Sequence, residues 1–356
     1  MRDSRIDQLA RTLVTYSTAV KPGDRVIIRG TEQSQPLALA VYREVLKAGG
    51  FATIWSSFEE ATWELYKHGS EQQIGWLDPM LMAVAESIDV YISLRAPTNL
   101  KMLTGVDPAL QVIAQKANRP FLDSVLKKRW VICELPTPAL AQEAGMSMAD
   151  FEDFSFGAVS VDWPAMESEL RKRKTQFESA KEVQIIGFGT DIRLGINGRT
   201  WITDEGKHNM PGGEVFTGPI EDSVEGEILF DFPAVYGGRE VEGVHLTFRA
   251  GRVVDASAKR GEDYLVKMLD ADEGARRLGE LGIGTNYGID RFSKSVLFDE
   301  KIGGTIHLAL GRSYEETGGT NESAIHWDMV KDLRANGELR FDGRTVQRNG
   351  KFLDLA

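Results

Sequence analysis

Apolar residues in the first half of the chain follow two alternating patterns. Residues 4–18 and 34–50 carry them at helical spacing, and the second segment stops at a Gly-Gly pair. Short, almost continuous apolar runs such as RVIIRG, FATIWSS and DVYISL lie between such segments. Strands separated by helices of this length indicate βαβ units. Residues 1–180 are therefore predicted to form an α/β domain, a largely parallel sheet with flanking helices.

The pattern changes in the second half, where short alternating segments are separated by glycine turns. A Gly-Arg pair after DIRLGIN predicts a hairpin, and a second hairpin is predicted at the end of the chain by GELRFDGRTVQRNGKFL. Residues 261–284 are expected to contain a helix. Residues 181–356 are therefore predicted to form an α+β, mostly antiparallel domain. A charged helix is expected to connect the two domains near residue 180.

Composition narrows the possible functions. The net charge of −11 disfavours nucleic acid, whose phosphates need a basic surface, and it also disfavours an anionic membrane. No run of about 18 apolar residues is present, so we expect no membrane span. Cys133, the single cysteine, lies in an apolar run and is interpreted as core filler. These features predict a cytoplasmic protein.

Two of the five histidines lie in strand-like sequence near the C-terminus. In His326-Trp-Asp328 the first and third residues share one face of a strand, so an imidazole and a carboxylate would point the same way. Such a pair suits a divalent cation, although a simple His–Asp hydrogen bond is the alternative. His307 shares its face with a small alanine and a glycine, which leaves room for an ion or a ligand.

Three glutamates stand in unusual local settings. Glu214 follows a Pro-Gly-Gly turn at the mouth of a short strand, and Glu280 lies between glycines where a helix is expected to end. Glu300 follows an apolar run just before the His307 strand. Taken singly, Glu214 and Glu280 read as ordinary exposed glutamates. Lys301 and Arg312 either contact a substrate carboxylate or lie at the surface.

Four segments of the second half follow one another in the order NMPGGEVFTGPIEDSVEG, LGELGIGTN, LFDEKIGGTIHLALGRSY and HWDM. Together they resemble the thermophilic-type metalloaminopeptidases, the aminopeptidase T and aminopeptidase S group. The resemblance covers the whole second half and extends more loosely into the first. It implies a catalytic second domain, peptide substrates with a free N-terminus, and a homodimer enclosing its active sites.

The resemblance also implies two divalent ions per subunit, zinc, cobalt, manganese or magnesium. The residues that match the ligands of the family are Glu214, Glu280, His307, His326 and Asp328. Catalytic roles fall to Glu280 as bridging ligand, Glu214 as ligand or base, and Tyr314 as donor to the oxyanion. Glu300 is a possible additional site residue. It precedes His307 by seven residues, which departs from the family pattern of five. The loop from Tyr314 to His326 is also shorter than in the family pattern.

Two other functions stay open at this point. The ligands of a metal site do not determine which acyl group the substrate carries, so the chain could hydrolyse another small amide. A non-catalytic dimeric ligand-binding protein is the second alternative, and it predicts no stoichiometric metal.

Overall fold

The computed structural model describes residues 3–353. The chain forms two compact units. One is Met1–Ser160 with Gly206–Pro211, and the other is Val161–Glu205 with Gly212–Ala356. The units are defined by compactness alone, and the domain limit at residue 180 stays a prediction.

Helices and strands are numbered along the chain. The helices are α1 (Ser4–Thr12), α2 (Gln35–Lys47), α3 (Glu59–His68), α4 (Glu71–Ile74), α5 (Pro79–Ser87), α6 (Pro108–Leu126), α7 (Pro138–Glu143), α8 (Met148–Val159), α9 (Trp163–Glu178), α10 (Glu262–Leu269) and α11 (Val296–Asp299). The strands are β1 (Arg25–Thr31), β2 (Phe51–Ser57), β3 (Val90–Arg95), β4 (Arg129–Glu134), β5 (Glu182–Gly187), β6 (Thr190–Gly195), β7 (Ile202–Asp204), β8 (Asn209–Met210), β9 (Glu214–Thr217), β10 (Glu225–Leu229), β11 (Ala234–Tyr236), β12 (Arg239–Val241), β13 (His245–Arg249), β14 (Arg252–Ser257), β15 (Leu278–Gly284), β16 (Thr305–Gly311), β17 (His326–Asp332), β18 (Glu338–Phe341), β19 (Arg344–Arg348) and β20 (Lys351–Phe352).

The first unit contains a parallel sheet with the strand order β2-β1-β3-β4-β8. Its central strands are buried, with Val26, Ile28 and Ile92 almost fully covered, as expected when helices flank the sheet. The prediction of a largely parallel α/β fold in this half is confirmed. Cys133 on β4 is also buried, as its interpretation as core filler requires. Burial raises the pKa of its thiol, so it does not ionise readily.

The second unit is mostly antiparallel, as predicted. An eight-stranded sheet has the order β14-β13-β10-β6-β5-β18-β19-β20, and a five-stranded sheet has the order β17-β16-β15-β9-β7. The terminal hairpin is confirmed as the β18–β19 pair. One hydrophobic core, which includes Trp201, Phe248 and Trp327, is contributed by both sheets.

Two local predictions are wrong. The helix expected within residues 261–284 ends at Leu269, and Glu280 lies inside β15 instead of at a helix end. Every residue of β15 is buried between β9 and β16, so tertiary pairing overrides the local glycine signal. The Gly198-Arg199 pair joins β6 to β7, which belong to different sheets, so it makes no hairpin.

Among residues 3–353, no helix is both long enough and apolar enough to cross a bilayer.

Candidate metal centre

Four neighbouring strands of the five-stranded sheet bring the predicted ligands to one face. Glu214 begins β9, Glu280 lies within β15, His307 lies within β16, and His326 and Asp328 begin β17. Residues directly opposite one another on paired strands project from the same face. The cross-strand partners of the five are mostly small: Gly284 for Glu214, Ala309 for Glu280 and Asp328, Gly282 for His307, and Gly311 for His326; Val330 on β17 also lies opposite His307. Small partners leave the space above the sheet to imidazoles and carboxylates.

Gly282 shows how tightly this space is used. A Cβ atom at this position would lie 1.9 Å from Cε1 of His307. No side chain can occupy that point while His307 keeps its place. A Cβ atom at Gly279 would likewise lie 2.2 Å from the carbonyl oxygen of Arg312, so packing inside a strand, not a turn, requires the glycines on either side of Glu280.

Both histidines are held with the same ring nitrogen facing the carboxylates. Nδ1 of His307 lies 3.1 Å from the carbonyl oxygen of Glu300, and Nδ1 of His326 lies 2.8 Å from the carbonyl oxygen of Arg312. A carbonyl only accepts, so each Nδ1 carries a proton and donates. Nε2 of each ring is the atom turned towards the carboxylates. Metal-binding histidines are typically oriented by such a hydrogen bond.

Glu280 lies between the two rings. Its Oε1 is 3.2 Å from Nε2 of His307 and its Oε2 is 3.2 Å from Nε2 of His326. Burial opposes ionisation of Glu280, but the two imidazoles outweigh it and lower its pKa to about 2. In the same way burial opposes protonation of the rings, and the surrounding carboxylates raise the pKa of His307 to about 10 and that of His326 to about 12.

Two buried oxygens at this site have no hydrogen-bond partner in the described part of the chain, Oε2 of Glu214, which lies 3.7 Å from Nε2 of His307, and Oδ1 of Asp328, which lies 3.5 Å from Nε2 of His326. A buried carboxylate oxygen without a partner is costly, and a cation would satisfy it. Two groups bring ligand atoms within 4.8 Å of one another, Glu280 with His307 and Asp328, and Glu214 with Glu300 and His307. The residue types and the unpartnered oxygens therefore fit a divalent cation.

Lys301 is the residue whose place in the site was not predicted. Its side chain is 0% exposed, and its Nζ lies 3.0 Å from Oε1 of Glu214, in close contact with Oε1 of Glu300, and 3.8 Å from Oδ2 of Asp204. Burial works against the charge, but the carboxylates outweigh it and raise the pKa of Lys301, so the ammonium persists. The surface placement considered for Lys301 is wrong. A single lysine after two acidic residues carries no sequence signal that distinguishes it from an exposed one.

Tyr314 follows β16 and lies at the edge of the site. Its ring centroid is 5.1 Å from that of His326 and 5.8 Å from that of Phe216. The side chain is 45% exposed, so it borders solvent. Partial burial and the nearby carboxylates raise the pKa of Tyr314, so its hydroxyl keeps its proton at neutral pH.

The other histidines have ordinary surroundings. His68 lies at the surface beside Glu64, and His245 on β13 lies 3.3 Å from Glu227. His208 stacks on Trp130, with ring centroids 4.5 Å apart, within the first unit. Arg312 is exposed.

Known proteins resemble this chain over almost its whole length. The model of the thermophilic metalloprotease family M29 matches residues 2–352. The chain belongs to this family. Among its M29 relatives, aminopeptidase 2 of Geobacillus stearothermophilus is 27% identical over 98% of this chain and 95% of its own length. Aminopeptidase T of Thermus thermophilus is 29% identical over 98% of this chain and 98% of its own length. Aminopeptidase T of Thermus aquaticus is 31% identical over 71% of this chain and 74% of its own length.

Solved structures show that this M29 fold is shared. Wild-type AmpT from Thermus thermophilus has a TM-score of 0.86 at 23% identity, covering 98% of this chain and 99% of that one. A 2,5-dihydroxypyridine dioxygenase from Pseudomonas putida has a TM-score of 0.63 at 13% identity, covering 99% and 98%. At such identities the likeness concerns the fold alone, and one fold hosts different chemistries.

Proposed function

We propose that this chain is a metalloaminopeptidase that releases N-terminal residues from peptides by means of a metal-activated water. Membership of the M29 family and the aminopeptidase relatives support this activity. The observation that carries the proposal is Glu280 held between the Nε2 atoms of His307 and His326, with an unpartnered oxygen of Asp328 beside them.

Four side chains would hold the ion: Glu280, His307, His326 and Asp328. When bound, a divalent ion lowers the pKa of a water and polarises the scissile carbonyl. Their nitrogen and oxygen donors admit zinc, cobalt, manganese or magnesium. A second ion, which the family resemblance implies, would have to share Glu214 and Glu300 with the ammonium of Lys301.

Two groups are proposed to move or hold protons. Glu214 commits Oε1 to Lys301, while Oε2 accepts no hydrogen bond and is available to take the proton of the attacking water. Burial raises the pKa of Glu214 to about 8, close to neutrality, so its carboxyl group can take up the proton of the water and pass it to the leaving amine. The protonated hydroxyl of Tyr314 would donate a hydrogen bond to the oxyanion.

We propose that the excess of carboxylates around the metal site attracts the free α-ammonium group of a peptide, which a blocked N-terminus lacks.

Two further properties are carried over as proposals. The resemblance implies a homodimer, so we expect a native mass of about twice the 39.5 kDa of the chain by light scattering. The cytoplasmic location rests on composition and on the buried lone cysteine.

The activity is tested with leucine p-nitroanilide and its N-acetylated counterpart. Protein stripped with a chelator and reloaded with zinc, cobalt or manganese should cleave only the free amine. Cleavage of both substrates would indicate a general amide hydrolase instead. Undiminished cleavage by thoroughly stripped protein would rule out the metal mechanism.

A further inference from the structure

The cluster of Glu214, Glu300 and His307 differs from the cluster around Glu280 in one respect. The carboxylates of Glu214 and Glu300 already share a cation, because Nζ of Lys301 contacts both. Among the described residues, no lysine or arginine nitrogen lies within 4.0 Å of the carboxylates of Glu280 or Asp328. The two clusters are therefore unequal as metal sites.

Lys301 is built into the fold and cannot readily withdraw. It lies between the end of α11 and the start of β16, and its side chain has no exposed surface. Its backbone N–H donates to the carbonyl oxygen of Phe298, and its carbonyl accepts from the N–H of Asn286. A buried ammonium that left its carboxylates would lose its compensation without reaching water.

We propose that the ammonium of Lys301 takes the place of a second metal ion, so that each chain binds one divalent ion tightly, at Glu280, His307, His326 and Asp328. The inference rests on the proposed metal-dependent function and changes its expected stoichiometry. A divalent ion at Glu214 and Glu300 would stand beside a fixed positive charge in a buried setting, where such repulsion is strong. Lys301 supplies a permanent cation that a chelator cannot remove.

The first measurement needs no variant. Protein stripped and reloaded with excess Zn²⁺, then freed of loose ions by gel filtration, should retain about one ion per chain by elemental analysis. Protein loaded with Mn²⁺ should give the electron paramagnetic resonance spectrum of isolated ions. Two retained ions per chain, or a spin-coupled manganese pair, would overturn the proposal.

The second measurement removes the ammonium. Lys301→Met keeps the length of the side chain without its charge, so zinc retention should rise from about one to about two ions per chain. Lys331→Met is the matched control, because Lys331 is also buried but binds Asp231 and the carbonyl oxygen of Phe188, and it should retain about one ion. A Lys301→Met protein that still holds one ion contradicts the proposal.

Metal counting separates this inference from the activity. A wild-type chain that holds one ion but cleaves no peptide would contradict the proposed function and leave the stoichiometry standing. A chain that cleaves leucine p-nitroanilide and holds two ions would contradict the role of Lys301 alone. Should Lys301→Met fail to fold, the spectrum of the manganese-loaded wild type decides by itself.

Discussion

Oε1 of Glu280 lies 3.2 Å from Nε2 of His307, although the two residues are 27 positions apart and belong to different strands. The contact arises because β15 and β16 pair with Gly282 opposite His307, so the imidazole leans over the glycine towards the glutamate. Glu280 is a buried acid whose two carboxylate oxygens each face an imidazole, that of His307 and that of His326. The first prediction follows from this contact.

Glu280→Gln should keep the shape of the side chain and lose the charge that balances both histidines. We expect zinc retention and cleavage of leucine p-nitroanilide each to fall by more than about 100-fold. Mutating a residue that only hydrogen-bonds to a metal ligand typically lowers metal affinity or activity by about 10- to 100-fold, and loss of a ligand should cost more. Glu227→Gln is the matched control, because Glu227 faces His245 on the other sheet. Equal metal retention in Glu280→Gln and wild type would show that Glu280 is not a ligand.

Tyr314→Phe should separate catalysis from metal binding. Loss of the donor to the oxyanion is expected to lower kcat by about 100- to 1,000-fold, with metal content unchanged. Tyr66→Phe, on α3, serves as control for the loss of a hydroxyl. If Tyr314→Phe instead released the metal, Tyr314 would have to be a ligand.

Gly282→Ala should disturb the site through packing alone. The new methyl group would occupy the place of the His307 ring, so the imidazole must move, and overpacking typically costs about 1–3 kcal/mol in the free energy of unfolding. We expect a lower melting temperature and reduced zinc retention. Gly105→Ala is the control, because a Cβ there meets nothing within 4 Å. Unchanged zinc retention in Gly282→Ala would mean that His307 tolerates displacement.

Stability of the metal-free protein should depend on pH through His307. Its pKa is raised from 6.5 to about 10, so the folded state holds a proton that the unfolded state releases. This contribution is complete below pH 6.5 and is lost as the pH rises towards 10. Chelator-treated protein should therefore melt at progressively lower temperature between about pH 6.5 and 10.

Zinc-loaded protein is the comparison for this pH dependence, since a metal ligand must give up the proton on its ligating nitrogen. Loading at pH 7 should release protons, measurable by calorimetry in buffers of different ionisation enthalpy. Identical pH dependence of melting with and without zinc, and no proton release, would contradict protonated imidazoles in the metal-free site.

Much of the fold was predictable because it depends on local periodicity. Alternating helices and buried strands indicated the parallel sheet of the first unit, and short strands with glycine turns indicated the antiparallel second unit. The shared face of His326 and Asp328 follows from strand geometry alone. The ordered motifs around Glu214, Glu280, His307 and Asp328 identified the family without any coordinates.

Tertiary structure decided what local pattern cannot express. Glu280 reads as the end of a helix until β9 and β16 enclose it, and those partners come from segments far apart in the chain. Lys301 reads as an ordinary lysine until Glu214, 87 residues earlier, is folded against it. Whether a charge is buried depends on the partners that compensate it, and chain folding alone brings them together. The sequence by itself determined most of the helices and strands and the family, and packing determined which charged side chains meet, among them the ammonium of Lys301 with Glu214.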